Sequence, residues 1–245
     1  MFPIRDHNPS GRVPYVTYAL LAANIGVFLV YWLGLQSEYA LAEFFYTWGL
    51  VPGRLMQGQG YAGLLSHMFL HGGWMHLAGN MLFLWIFGDN LEDALGHLRY
   101  LLFYLACGLA AAALQVAGDP HFDGPLIGAS GAIAGVLGGY LVLFPRARID
   151  VLFIFIIFFR VFSIPAWIVL GIWFVIQSFN GYAETADGVA YLAHVGGFIA
   201  GAILGLPVLL RRGGAAFWAQ NKGKPPHPAA EYPLSPSRIP RVPRR

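Results

Sequence analysis

Long runs of apolar residues constrain the fold of this chain more than any other feature. Six runs lie between residues 15 and 210, each bounded by charged residues, glycine or proline. A helix needs about 20 mainly apolar residues to cross a bilayer, and only 11% of the chain is charged, against about 25% in soluble domains. The pattern predicts an all-α polytopic membrane protein with six transmembrane helices. The runs are about Tyr15 to Leu35, Trp74 to Leu95, Tyr100 to Ala117, Leu126 to Phe144, Phe162 to Phe179 and Val189 to Leu210.

The Lys and Arg residues lie almost entirely on one side of these six helices. With both termini in the cytoplasm, 14 of the 15 fall in inner segments, and only Arg54 falls in an outer loop. Inner loops carry this excess of positive charge, so the bias predicts the orientation. We expect a cytoplasmic N-terminal segment over 1–14, a membrane domain over 15–210 and a cytoplasmic tail over 211–245. The first ten residues carry Arg5 and Asp6 and no small-residue cleavage pattern, which argues against a cleaved signal peptide.

Three segments outside the predicted helices have a composition of their own. The first outer loop, about Gln36 to Gly73, is long and aromatic, so we expect it to lie in the outer interface. The run Val151 to Phe159 is apolar but too short to span, which favours an interfacial position or packing against the bundle. The tail from residue 211 is basic and rich in proline. We expect it to be disordered and to contact anionic lipids, and we predict no nucleic-acid partner.

Polar groups inside the apolar runs are costly and are therefore candidates for function, and four of them stand out. They are His76 and Asn80 in the second run, Ser130 in the fourth and His194 in the sixth. These three helices all run from the outer to the inner side, so residues near their starts share one depth. The four side chains are predicted to converge a few helical turns below the outer surface.

Two stripes of glycine predict how closely the fourth and sixth helices approach. One begins at Gly131 and the other at Gly197, and each places three glycines at every fourth residue. Small residues at this spacing let two membrane helices pack backbone to backbone. Ser130 adjoins the first stripe, and His194 lies three residues before Gly197, on the same helical face. Packing of the stripes would therefore bring Ser130 Oγ toward His194.

A serine and a histidine at one depth form the pair that nucleophilic catalysis needs, because the imidazole can take the hydroxyl proton and return it to the leaving amine. No Asp or Glu lies in the outer half of any run to orient the imidazole, so the sequence predicts a Ser130–His194 dyad rather than a triad. His76 and Asn80 share one helical face and, with the Ser130 amide, are candidate oxyanion donors. Taken singly, each residue keeps a structural alternative, such as an interhelical hydrogen bond.

Four motifs, in this order, resemble those of the rhomboid family of intramembrane serine proteases. They are His76-Leu77-Ala78-Gly79-Asn80 for the family's HxxxN, Gly88, Glu92 and Gly96 for its GxxxExxxG, Gly128-Ala129-Ser130-Gly131 for its GxSG, and Ala193-His194-Val195-Gly196-Gly197 in the last span. The resemblance covers about Tyr15 to Leu210. It implies the six-helix rhomboid bundle of the prokaryotic type, in the inner membrane of a bacterium.

The resemblance also implies a role for each matching residue. Ser130 would be the nucleophile and His194 the general base, while His76, Asn80 and the Ser130 amide would form the oxyanion hole. His71 falls where family members often have a histidine near the rim of the site. We expect a supporting role for it there, and a loop hydrogen bond is the alternative.

Other residues bear on how the site is supported. We expect Gly131 and Gly197 to support it through close helix packing. Ala134 stands where some family members carry an aromatic residue under the histidine, and no Trp-Arg pair lies near Trp48. For Glu92 we favour a contact at a helix end without a catalytic part.

The sequence predicts neither a cofactor nor a metal. His67 and His71 are four residues apart, as in a metal pair, but the chain has no HExxH, which disfavours a zinc protease. The substrates that the resemblance implies are transmembrane segments of other proteins, cut near the outer face. The alternative is a non-proteolytic membrane protein, either a client-binding pseudoprotease or a transporter. A transporter should show repeat symmetry, which this sequence lacks.

Overall fold

The computed structural model describes residues 2–155, 158–183 and 189–226. Over these residues, six long helices form a bundle, with short helices on one loop and a small sheet. The helices are α1 (Tyr15–Gly34), α2 (Glu38–Trp48), α3 (Pro52–Met56), α4 (Gly63–Ser66), α5 (Trp74–Leu95), α6 (His97–Gly118), α7 (Ser130–Leu143), α8 (Ala166–Tyr182), α9 (Tyr191–Arg211) and α10 (Ala215–Asn221). The strands are β1 (Phe2–Asp6), β2 (Arg148–Phe155) and β3 (Phe158–Pro165).

The long helices give the chain the character of an integral membrane protein. Three of them, α1, α6 and α9, are long and apolar enough to cross a membrane. Helix α5 has 22 residues and carries acidic side chains near its C-terminal end, while α7 and α8 are apolar but have only 14 and 17 residues. The predicted, mainly helical polytopic bundle is therefore confirmed, although its helices differ in length.

Helix α7 is the centre of the bundle and is buried along most of its length. A Cβ placed on Gly197 would lie 1.9 Å from the Gly131 carbonyl oxygen, and one on Gly201 would lie 1.9 Å from that of Gly135. Backbones this close leave no room for a side chain at these two positions of α9. On α7 itself, a Cβ at Gly131 would point at Ala111 of α6, 2.6 Å away. The glycines of α7 therefore allow both α6 and α9 to pack closely against it.

The small sheet differs from what the apolar runs predict. It is antiparallel, with the order β1-β2-β3. The fifth run was expected to be helical from Phe162, but β3 continues to Pro165 and α8 begins only at Ala166. β-Branched and aromatic residues dominate this stretch and favour strands.

The described residues of the segment Val151 to Phe159 thus belong to the paired strands β2 and β3. Val151 is buried against the bundle, as one of the two expectations had it, whereas Ile154 and Phe159 are exposed by 49% and 65%. Residues 156 and 157 of this segment lie outside the described residues.

Polar contacts tie the N-terminal segment to the end of the bundle far from Ser130. Asp150 of β2 accepts a hydrogen bond from Arg5 Nε at 2.7 Å and lies 2.8 Å from His7 Nε2. The Tyr140 hydroxyl of α7 donates to Asp6 Oδ2 at 2.8 Å. Strand β1 is therefore held both to the sheet and to the central helix.

Glu92 is buried at the start of α1. Its carboxylate accepts hydrogen bonds from the backbone N–H groups of Val16 and Thr17, at 2.9 and 2.8 Å, and from the Thr17 hydroxyl at 2.7 Å. A carboxylate satisfies the free N–H groups of a helix start well. The interpretation of Glu92 as a contact at a helix end is confirmed.

The loop between α1 and α5, which the sequence predicts to be outer, contains α2, α3, α4 and a single 3-10 turn over His67–Phe69. Arg54 anchors it: Nη1 donates to the Tyr46 carbonyl oxygen at 2.8 Å, and the guanidinium lies 4.9 Å from the centroid of the Tyr46 ring. This contact stabilises the loop in a chain that has no Trp-Arg pair near Trp48.

The expectation of disorder from residue 211 is wrong for the first part of the tail. Helix α10 forms there, and Trp218 Nε1 donates to the Val142 carbonyl oxygen of α7 at 3.1 Å. The rest of the tail, residues 227–245, lies outside the described residues.

Candidate active site

Ser130 and His194 lie side by side at the starts of two helices in contact. Ser130 is the first residue of α7, and His194 lies in the first turn of α9. Ser130 Oγ is 2.8 Å from His194 Nε2. The close backbone approach at Gly131 and Gly197 sets this distance, because any side chain on Gly197 would push the two helix starts apart. The hydroxyl and the imidazole are within reach of direct proton transfer.

Helix α8 supports the other side of His194. Gln177 Oε1 lies 2.6 Å from His194 Nδ1, and the Trp173 ring packs near the imidazole in a tilted arrangement, with 5.8 Å between centroids and an interplanar angle of 34°. Trp173 therefore supplies the aromatic contact that α7 lacks at Ala134. Sequence reasoning missed Gln177 because it sought a carboxylate, although a polar residue in the outer half of the fifth run was a usable signal.

His76 lies at the mouth of the site and faces the backbone just before Ser130. Its Nδ1 accepts a hydrogen bond from the Gly72 N–H at 3.3 Å, so in neutral imidazole the proton is on Nε2. Gly128 has φ +132°, and a Cβ there would lie 2.8 Å from His76 Nε2. The backbone before α7 therefore passes close to this ring, and the same Cβ position lies 3.5 Å from Ser130 Oγ.

Asn80 lies one turn after His76 and is buried. Its Nδ2 donates one hydrogen bond to the His76 carbonyl oxygen at 3.1 Å. An amide NH₂ carries two hydrogens, so a second N–H is available for another acceptor. Asn80 shares the wall of one cavity with His76 and Ser130.

The cavity has a volume of about 600 Å³ and joins all four polar residues predicted from the sequence. Ser130, His194, His76 and Asn80 line one part of it, and apolar side chains such as Phe83 form the rest. A mainly apolar pocket with a few convergent polar groups is typical of a site for an organic ligand. Among the described residues, no three His, Cys, Asp or Glu side chains are arranged to hold a metal ion.

His71 is not at the rim, where the resemblance placed it. It is fully buried behind His76, with 5.1 Å between the two ring centroids, and it does not line the cavity. Its backbone N–H donates to the Tyr31 hydroxyl at 2.8 Å, and that hydroxyl donates to its carbonyl oxygen at 2.7 Å. Neither ring nitrogen has a hydrogen-bond partner among the described residues.

Burial, followed by the nearby His76 ring, lowers the pKa of His71 to about 3. The side chain is therefore neutral at physiological pH. His67, four residues earlier, has Nδ1 2.7 Å from the Gly63 carbonyl oxygen. The His67 ring is thus bound to the loop backbone, whereas His71 is held through its own backbone by the Tyr31 hydroxyl of α1.

Comparison with known proteins identifies the family. Residues 58–211 match the rhomboid domain. The chain is 31% identical over 201 residues to the mitochondrial rhomboid protein 1 of Saccharomyces cerevisiae, covering 78% of this chain and 52% of that protein. It is 31% identical over 198 residues to the rhomboid protease GluP of Bacillus subtilis, covering 79% of this chain and 36% of that protein. The chain therefore spans about half or less of the length of these relatives, and over the matched region it belongs to the rhomboid family.

Proposed function

We propose that this chain is an intramembrane serine endopeptidase, which cuts membrane proteins in or near their transmembrane segments. The observation that carries the proposal is the 2.8 Å contact between Ser130 Oγ and His194 Nε2 on the wall of a cavity. The similarity to a protein named as a rhomboid protease supports it. Both residues of the dyad are present, whereas a pseudoprotease need keep neither.

In the proposed reaction, Ser130 Oγ attacks the carbonyl carbon of the substrate while His194 Nε2 takes the hydroxyl proton. The negative oxygen of the tetrahedral intermediate accepts hydrogen bonds from the Nε2–H of His76, the free N–H of Asn80 and the backbone N–H of Ser130. Such donors each contribute about 3 to 4 kcal/mol to the transition state. His194 then gives its proton to the leaving amine, and a water molecule hydrolyses the acyl-enzyme by the same route.

The substrate must unwind before it can react. The peptide bonds of a helix are shielded by their own hydrogen bonds, so residues that weaken a helix near the cut are favoured. The proposed setting is the inner membrane of a bacterium, with both termini in the cytoplasm and the site near the outer face. Basic residues of the tail would contact anionic lipid headgroups.

A fluorophosphonate probe tests the proposal on the purified full chain. We expect the probe to label the wild type, and Ser130→Ala to abolish both labelling and the cleavage of a transmembrane substrate. The matched control is Ser178→Ala, because Ser178 on α8 bonds the Phe174 carbonyl oxygen of its own helix and no other described residue. Equal labelling of Ser130→Ala, or cleavage that survives His194→Ala, would show that the dyad is wrong. A wild type that binds substrate without any cleavage would point to a client-binding protein.

A further inference from the structure

Gln177 contacts the catalytic histidine of the proposed dyad on the nitrogen that Ser130 does not use. Ser130 Oγ lies 2.8 Å from His194 Nε2, and Gln177 Oε1 lies 2.6 Å from His194 Nδ1. The two contacts come from different helices, α7 and α8, so the imidazole of α9 is held from both sides. Gln177 is 8% exposed, which keeps water from competing for the contact.

The chemistry of the amide fixes the state of the imidazole. The side-chain oxygen of glutamine only accepts hydrogen bonds, so His194 Nδ1 must carry a hydrogen to bond it. Neutral imidazole has one N–H, and Nε2 is then left with a free lone pair facing the Ser130 hydroxyl. This is the tautomer that a general base needs.

We infer that Gln177 is a positioning residue, which holds His194 in the Nδ1–H tautomer and in the ring orientation for proton transfer from Ser130. The inference rests on the proposed function. It replaces the dyad by a Ser130–His194–Gln177 triad whose third member is neutral.

A neutral third member suits the environment of the site. A carboxylate on a membrane helix costs several kcal/mol, whereas an amide presents an oriented dipole at a far smaller cost. When His194 takes the Ser130 proton, the Nδ1–H to Gln177 bond becomes charge-assisted and therefore stronger. The centroid of the Trp173 ring lies 5.8 Å from that of the His194 imidazole. Trp173 therefore limits rotation of the imidazole and offers an aromatic face to the imidazolium cation.

The first test separates positioning from substrate binding. Gln177→Met keeps the length of the side chain and removes the amide oxygen. We expect kcat on a transmembrane substrate to fall about 10- to 100-fold with KM unchanged, because orientation is lost and no substrate contact is. Gln177→Glu retains an acceptor at the same position and should recover most of kcat, and Ser178→Ala, on the next residue of α8, should match the wild type.

The second test reads the tautomer directly and does not depend on activity. In protein labelled with ¹⁵N-histidine, the His194 resonances are assigned as those lost in His194→Ala. We expect the wild type to show a protonated Nδ1 and a free Nε2, and Gln177→Met to show a population of the other tautomer.

The outcomes distinguish this inference from the proposed function. An active wild type whose His194 carries its hydrogen on Nε2 would overturn the inference, since the amide would then donate through its nitrogen. Unchanged kcat in a folded Gln177→Met variant would also overturn it and leave the dyad in place. Failure of the probe to label Ser130 in the wild type would instead contradict the proposed function.

Discussion

At the scale of single residues, the backbone at Gly128 determines the shape of the site. Its φ of +132° is a conformation that side chains rarely adopt, and a Cβ would lie 2.8 Å from His76 Nε2. Gly128→Ala would therefore strain the backbone and displace the ring of the proposed oxyanion donor. We expect probe labelling of Ser130 to slow about 100-fold or more, because small misplacements of reacting groups have effects of this size.

The control for this change is Gly26→Ala in α1, where a Cβ would meet no atom of the described residues within 4 Å. It should label at the wild-type rate, and its helix should be slightly stabilised, since alanine favours helices more than glycine does. Normal labelling of Gly128→Ala would show that the His76 ring is free to move away without loss of function.

His71 gives a second prediction at this scale. Its two ring nitrogens are buried without a hydrogen-bond partner among the described residues, which is costly for polar atoms. His71→Leu removes both atoms and keeps the backbone bonds to Tyr31. We expect the free energy of unfolding to stay equal or rise by up to about 1 kcal/mol, and the labelling of Ser130 to be retained. A large loss of labelling with a folded protein would indicate that His71 supports the site through its ring.

The individual site residues were predictable to different degrees. Ser130, His194, His76 and Asn80 could be found because polar groups are rare within apolar runs and these share one depth. Gln177 is polar as well, but its contact with His194 depends on how α8 turns its face toward α9, which spacing within one helix does not reveal. The expectation for His71 at the rim came from resemblance alone, and the loop backbone places its ring elsewhere.

At the scale of helices, the contact between α7 and α9 holds Ser130 beside His194. A Cβ on Gly201 would lie 1.9 Å from the Gly135 carbonyl oxygen, so Gly201→Ala must push the two backbones apart. Gly201 lies about two turns after His194 in α9 and is not among the residues that line the cavity. We expect the free energy of unfolding, measured in detergent, to fall by about 1–3 kcal/mol, as for other overpacked cores.

The matched control is Gly171→Ala in α8, where a Cβ would have no neighbour within 4 Å in the described part of the chain. Its unfolding free energy should equal or exceed that of the wild type. If Gly201→Ala were as stable as Gly171→Ala, the backbones of α7 and α9 could separate without cost, and the glycine stripe would have no role in packing.

The helices of the bundle were predictable, whereas the sheet was not. Apolar runs indicate helices because their length matches a bilayer. Strand β1 pairs with β2 about 145 residues later in the chain, and no local pattern indicates such a distant partner. A short apolar run such as the one that begins at Val151 is compatible with either a helix or a strand. It forms strand β2 here because it pairs with β1 on one side and β3 on the other.

At the scale of the whole molecule, the N-terminal strand joins the sheet to the central helix. Asp6 bonds the Tyr140 hydroxyl of α7, and Asp150 of β2 bonds Arg5 and His7. Burial raises the pKa of Asp6 to about 8, although the Tyr140 hydrogen bond opposes the shift. Burial also acts to raise the pKa of Asp150, but the hydrogen bonds from Arg5 and then His7 outweigh it and hold that pKa below its usual range. The contributions of the two carboxyl groups to stability therefore change with pH in opposite directions.

The raised pKa of Asp6 predicts how stability changes with pH. Between its unfolded value of about 3.9 and the folded value, the folded protein keeps a proton that the unfolded chain has released. The stabilising effect of Asp6 is present at pH 4 and is lost as the pH rises through about 8. We expect the free energy of unfolding to fall over this range in the wild type, and to fall much less in Asp6→Asn, whose amide can still accept the Tyr140 hydrogen bond.

Asp150→Asn is the control: it should lower stability at every pH above about 4, because a depressed pKa stabilises the folded state only while the carboxylate is ionised. An equal pH slope in the wild type and Asp6→Asn would show that Asp6 is ionised in the folded protein, so that the N-terminal strand would be bound to α7 through a charge rather than a neutral acid.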